Sequence, residues 1–200
     1  MARPKPDPTL VREQMLLASE DLLARHGPAK LTVTDVAAAV GMSQSYAYRF
    51  FASKQSLLEA LGERWLAGIE AELVAVAAAS DNPAERFVRF IARQYELKRN
   101  KDLADPRLFK SYLDLGITNT AVVERHLARL SAELEKIMTD CAAAGLIAGR
   151  DPVDAAHLAE ALTVRFREPA LVLQHLATDT PRMAAEAAGI IFAGLAQLPR

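Results

Sequence analysis

Gln44, Ser45, Tyr46 and Arg49 lie within one short segment, and their side chains carry the donors and acceptors that read nucleic-acid bases. Glutamine can make a bidentate contact with adenine and arginine with guanine, while hydroxyls serve bases or phosphates. Thr32, Thr34 and Ser43 precede this segment, and Tyr48 and Lys54 flank it. A lysine in the first turn of a helix lies beside free backbone amides, and both favour a DNA phosphate.

Other chemistries find little support. No glycine-rich phosphate loop, metal-ligand cluster or serine nucleophile elbow is visible, so neither a cofactor nor a metal is implied and an enzyme is not expected. The single Cys141 has no evident base partner and cannot form an intrachain disulfide. It is expected as a small buried hydrophobe. His157 has no second metal ligand at productive spacing. A net charge of −1 argues against a non-specific DNA coat, although residues 1–54 carry seven Lys/Arg against five Asp/Glu and the remainder seventeen against twenty. No apolar run approaches the ~18 residues of a membrane helix. The opening residues lack the apolar stretch of a signal peptide, so a cytoplasmic location without membrane association is expected.

To read bases, Gln44 to Arg49 must sit on a short helix locked against another at a steep angle. Residues 33 to 50 meet that demand: Ala37 is small where two helices cross, and Gly41 permits a tight turn. Val36, Val40, Met42, Ala47 and Phe50 fall on the inner side. Thr32-Val33-Thr34-Asp35 reads as a capping box, Ser43 as the cap of the second short helix, and Ser53 as the cap of a long helix running to about Ala79. Before them, Val11, Met15, Ala18 and Leu22 recur at helical spacing until Gly27-Pro28 ends a helix over about 9 to 26.

Asp81-Asn82-Pro83, Asp105-Pro106, Thr118-Asn119, Asp151-Pro152 and Thr180-Pro181 mark further helix starts, and Gly145-Leu146 a stop. No strand alternation appears, so the chain is expected to be all-α with about nine helices. The expected division is a flexible tail over 1–8, a three-helix DNA-binding domain with a helix-turn-helix over 9–53, and an antiparallel helical bundle over 54–200 that binds ligand and dimerises. Helix four, from residue 53, links them.

The run Gly41-Met42-Ser43-Gln44-Ser45-Tyr46-Ala47-Tyr48-Arg49-Phe50-Phe51-Ala52-Ser53-Lys54-Gln55-Ser56-Leu57 resembles the signature of the TetR family of one-component bacterial regulators. The resemblance covers about residues 9 to 65 and is architectural beyond. It implies that Gln44, Tyr46 and Arg49 address the major groove of double-stranded operator DNA, and that Thr32, Tyr48 and Lys54 hold phosphates. Ser45 stands where glycine is common in the family, Ala47 where leucine is, and Gln55 where glutamate is. Operator sequence is the property these departures touch, Ser45 and Tyr46 lying among the expected base readers. The family's commoner sense is repression relieved by a small-molecule effector.

In the C-terminal part, Phe87, Phe90, Ile91, Gln94 and Tyr95 share one face of a helix, an apolar stripe with polar groups at its edge, as in a ligand site for a small, largely apolar effector. Plain core is the competing reading. Arg86, Arg89 and Arg93 occupy another face, expected to be solvated. Val123, Leu127, Leu130, Leu134, Ile137 and Cys141 form a bundle stripe, with His126 beside it as an expected surface residue. Pro169 predicts a kink. Leu130, His157, Leu162, Phe166 and Tyr112 complete the candidate lining. Small residues, including Ala155, Ala159, Ala185, Ala188 and Gly189, recur in the last two helices, expected over 152–178 and 181–197. In the resembled family that pair forms the homodimer interface.

Overall fold

Asp7 starts the first helix by accepting a hydrogen bond from the amide of Thr9 at 2.8 Å, with Pro8 at the position where its missing N–H costs nothing. The computed structural model describes residues 7–147 and 149–197. Most of the expected tail, residues 1–6, lies outside the described residues.

Eleven helices follow in chain order among the described residues, with no strand: α1 (Pro8–Lys30), α2 (Val33–Ala39), α3 (Gln44–Ala47), α4 (Lys54–Ala77), α5 (Pro83–Ala104), α6 (Pro106–Thr118), α7 (Thr120–Ala143), α8 (Pro152–Leu162), α9 (Val164–Arg167), α10 (Pro169–Gln174) and α11 (Pro181–Gln197). The all-α expectation holds. Within α1, Gly27 leaves helical geometry at φ 72° and ψ 169°, so the regular helix stops where Gly27-Pro28 predicted. The helix expected over 152–178 is instead three pieces. Thr163 turns its hydroxyl back onto the Ala159 carbonyl at 2.6 Å and takes non-helical angles. Glu168 is extended because the following Pro169 disfavours helical geometry before it, and Pro169 opens α10. The expected kink is thus a full break. None of the described helices is long and apolar enough to cross a membrane.

The chain divides into two compact units. The first runs to Trp65 and is completed by Asp105–Val123; the second comprises Leu66–Ala104 and the chain from Glu124. The first division thus falls within α4, and α6 belongs to the first unit. There Met15, Leu16 and Leu23 of α1 pack with Val36, Ala37, Ala47, Phe51, Leu57, Leu61, Tyr112 and Leu115. Each fully buried leucine or phenylalanine in that set stabilises by about 1.5–3 kcal/mol. Ser111 donates to the Leu23 carbonyl at 3.0 Å, fixing α6 along α1.

In the second unit α11 lies along α5. Phe87, Phe90, Ile91 and Tyr95 of α5 are buried, as are Leu130, Leu134, Ile137, Met138 and Cys141 of α7. Two expectations about surfaces are overturned here. Arg86 is not on a solvated face: it is 7% exposed and donates to Asp140 at 2.7 Å and to the Ala77 carbonyl at 2.8 Å. His126 is likewise buried, with its Nδ1 2.9 Å from Glu70 Oε1, whereas Leu127 is 49% exposed. The buried stripe of α7 runs through His126, Leu130, Leu134 and Ile137 rather than through Leu127. Burial pushes the Cys141 thiol up to about 11, which leaves it protonated and unreactive at neutral pH.

Candidate functional site

The turn between α2 and α3 is built by local hydrogen bonds. Thr32 caps α2 by accepting from the Asp35 amide at 3.1 Å and donates its hydroxyl to Asp35 Oδ2 at 2.6 Å. At the far end, Met42 N–H reaches the Ala37 carbonyl at 3.0 Å and Gly41 N–H the Ala38 carbonyl at 3.2 Å. This pair of bonds is a Schellman closure, which requires the left-handed residue that Gly41 supplies at φ 69°. Gly145 and Leu146 close α7 with the same pair of bonds.

Ser43 then caps α3, accepting from the Tyr46 amide at 3.4 Å. Arg49 N–H bonds Tyr46 and Phe50 N–H bonds Ala47, at 3.2 and 2.9 Å, so the segment after Ala47 tightens into turns and the regular helix is shorter than the expected span to Phe50. Ala47 is fully buried and anchors α3 to the core. Gln44, Ser45, Tyr48 and Arg49 are exposed, and Tyr46 is half-buried. The Tyr46 ring meets Phe50 edge-on at 5.2 Å, and the Arg49 guanidinium lies 5.7 Å from the Tyr46 centroid. Of the outward residues, Tyr46 is thus packed on Phe50 and Arg49 on Tyr46.

Ser53 and Ser56 close the start of α4 reciprocally, each amide bonding the other's hydroxyl at 3.1 and 3.0 Å. Lys54, expected to face a phosphate, donates its Nζ to the Ala29 carbonyl at 2.5 Å. Thr34 is half-buried in the first turn of α2.

The expected effector residues separate into three groups. Phe87, Phe90, Ile91, Gln94, Tyr95, Leu130 and Phe166 all lie in the interior of the second unit. Tyr95 meets Phe166 edge-on at 5.8 Å and donates its hydroxyl to the Asp179 carbonyl at 2.7 Å. His157 and Leu162, by contrast, are exposed on α8. Tyr112 belongs to the first unit: it stacks on Trp65 at 4.7 Å and donates to Glu20 at 3.0 Å. Burial beside that carboxylate raises its phenol well above the ordinary range. A separate open groove of about 430 Å³ runs between α5 and α11, lined by Val88, Ala92, Gly189 and Phe192 among others. It contains none of the expected residues.

The residues missed by sequence reasoning are polar: Lys98 and His126 are buried, and Arg167 and Glu160 are half-buried. Arg167 donates to Gln94 Oε1 at 3.3 Å and to the carboxylate and the carbonyl of Glu160, both at 3.0 Å. Ser131 adds a 2.6 Å bond to the same carboxylate. Lys98, one turn beyond Gln94, is 4% exposed. The stripe that holds Phe87, Ile91, Gln94 and Tyr95 continues to Lys98 at helical spacing, so extending it one turn would have found this lysine. Among the described residues no cluster of three or more His, Cys, Asp or Glu is placed to hold a metal ion.

Comparison with known proteins agrees with both halves of this picture. The family described as bacterial regulatory proteins, tetR family, matches residues 15–61, and that described as tetracyclin repressor-like, C-terminal domain, matches residues 83–191. No curated protein matches the sequence. Among solved structures, a protein with unknown function from Rhodococcus sp. RHA1 is 23% identical, with a TM-score of 0.71 over 98% of this chain and 100% of that one. SmeT, the repressor of the Stenotrophomonas maltophilia multidrug efflux pump SmeDEF, is 19% identical, with a TM-score of 0.68 over 92% and 89%. Its complex with triclosan gives 20% identity and a TM-score of 0.70 over 92% and 91%. At these identities the likeness is one of fold. The two family matches together span most of the chain, which belongs to the TetR family of bacterial transcriptional regulators.

Proposed function

We propose that the chain is a homodimeric repressor that binds a near-palindromic operator through α3 and is released by a small-molecule effector held in the second unit. One observation carries the DNA-binding part: Gln44 and Ser45 of α3 and Tyr48 and Arg49 of the turn that follows are exposed polar residues around Ala47, which is fully buried. Gln44, Ser45, Tyr46 and Arg49 face the bases in this reading, while Thr32, Thr34, Ser43, Tyr48 and Lys54 approach the backbone. Lys54 then exchanges its bond to the Ala29 carbonyl for a phosphate. The two recognition helices of a dimer enter successive major grooves ~34–36 Å apart, or wider if the dimer sets them so.

Support for dimerisation through α8 and α11 comes from apolar side chains left uncovered there: Leu158, Leu162, Met183 and Ile190 are 40%, 56%, 40% and 75% exposed. Single exposed apolar residues are ordinary, but a set on the last helices is what a self-complementary interface covers. Repression is supported by the likeness to SmeT, a repressor whose triclosan complex has been solved. Effector and operator must oppose one another by the same factor, because linkage between two binding equilibria is reciprocal.

The test is selection of a preferred site from randomised duplex DNA, followed by titration of Gln44→Ala and Arg49→Ala against the selected and a scrambled duplex. Loss of preference by about 1–3 kcal/mol for each, with weak salt-sensitive binding to both duplexes retained, supports base reading. Equal losses on both duplexes would refute it.

A further inference from the structure

Within the second unit, Lys98 and Gln94 sit one turn apart on the buried side of α5 and are 4% and 1% exposed. Among the described residues the Lys98 ammonium makes one hydrogen bond, a long one of 3.5 Å to the Gln94 carbonyl. No carboxylate among the described residues pairs with it. Arg167 is different: its charge is met by Glu160. The Gln94 amide is oriented by its neighbour, since Arg167 can only donate and so fixes Oε1 toward itself at 3.3 Å. Its Nε2 is left buried without a partner. One helical turn thus carries a buried ammonium with one long hydrogen bond and no ion pair, and a buried amide N–H₂ with no acceptor, and groups of this kind are normally satisfied.

We propose that these two groups form the anion-binding end of the effector site, and that the effector is a monocarboxylate with an apolar body lying against Tyr95 and Phe166. The proposal deepens the reading of the second unit as an effector-binding domain and rests on it. One uncompensated positive charge matches one carboxylate; a phosphate monoester would bury an excess negative charge there. Lys98 Nζ and Gln94 Nε2 are both donors, and a carboxylate offers two acceptor oxygens. Burial, reinforced by the Arg167 guanidinium and opposed by Glu168, pulls the Lys98 ammonium down to about 8, the direction expected of a cation without an adjacent counter-charge.

Calorimetric titration of the full-length protein with straight-chain carboxylates from acetate to decanoate, with 1-decanol and decyl phosphate alongside, tests this. At least one carboxylate should bind with Kd below about 1 mM, and decyl phosphate should bind more weakly than decanoate. Lys98→Met and Gln94→Leu should each weaken carboxylate binding at least about tenfold while leaving decanol unchanged. Lys98→Arg should retain most of the affinity. Decanol and decanoate binding equally well, or variants that bind carboxylate as the wild type does, would overturn the anion site while leaving an apolar effector domain standing. Binding of none of these compounds would overturn both the anion site and the effector reading. The DNA-binding reading is tested separately by duplex titration.

Discussion

Replacing Lys98 with methionine keeps an unbranched side chain, shorter by the charged end group, so the variant chiefly removes the cost of burying an ammonium. The ordinary value of 10.5 falls to about 8 in the folded protein. At ~1.4 kcal/mol per decade, that gap corresponds to roughly 3 kcal/mol. Below pH 8 the folded and unfolded states both hold the proton, and the wild type carries the whole cost. Between about 8 and 10.5 the folded state releases its proton first, the unfolded state holds more protons, and stability rises with pH. Lys98→Met should therefore be more stable than wild type by roughly 3 kcal/mol at neutral pH, with the difference vanishing toward pH 10.5. The charged groups acting on Lys98 are Arg167 and Glu168, and buried His126 responds to it in turn. Their interactions with the ammonium vanish in the variant and are therefore part of the gap. Urea denaturation followed by circular dichroism, at one fixed protein concentration because the proposed dimer would add to apparent stability, measures the gap. A variant less stable than wild type at neutral pH, or a gap that ignores pH, would mean that the ammonium is satisfied in the fold.

Other substitutions probe the remaining structure. Gly41→Ala forces a side chain into left-handed geometry and should cost about 1–2 kcal/mol in thermal denaturation, although the space around the new Cβ is open. Gly41→Asn should cost less. Arg86→Leu strips Asp140 and the Ala77 carbonyl of their buried partner and should destabilise by about 3 kcal/mol in urea, whereas Arg89→Ala, on the half-exposed pair with Asp81, should cost under about 1 kcal/mol. Tyr112→Phe should destabilise the first unit by about 1–3 kcal/mol, read through the fluorescence of Trp65, the single tryptophan, on which Tyr112 stacks.

The DNA-reading element was legible because its signals are local. Thr32, Ser43 and Ser53 each cap a helix within three residues, and Gly41 closes its turn within five, so spacing alone carries the geometry. Arg86 and His126 were misread for the opposite reason. Their burial depends on Asp140 and Glu70, each more than fifty residues distant in sequence, and nothing near either residue announces the partner. The break over Thr163 to Glu168 combines a hydroxyl bonding back to Ala159 with the effect of Pro169; only the proline was visible beforehand. The place of Tyr112 turns on which unit α6 joins, a question of tertiary packing that periodicity cannot answer.

That membership of α6 bears on how the protein is made. Ribosomes deliver a chain from its N-terminus at about 5–20 residues per second. After Trp65 emerges, the whole of Leu66–Ala104, about 40 residues, must be synthesised before α6 can reach Leu23 and Glu20, a delay of roughly 2–8 s. Until then the nascent head lacks Phe109, Tyr112 and Leu115 from its interior and leaves Trp65 without the rings it packs against. A polypeptide released early, before α6, would carry every residue proposed to read bases and yet lack part of the core on which α3 packs. Interrupted translation is thereby expected to yield fragments that do not compete for the operator, which makes completion of the chain a condition of its activity.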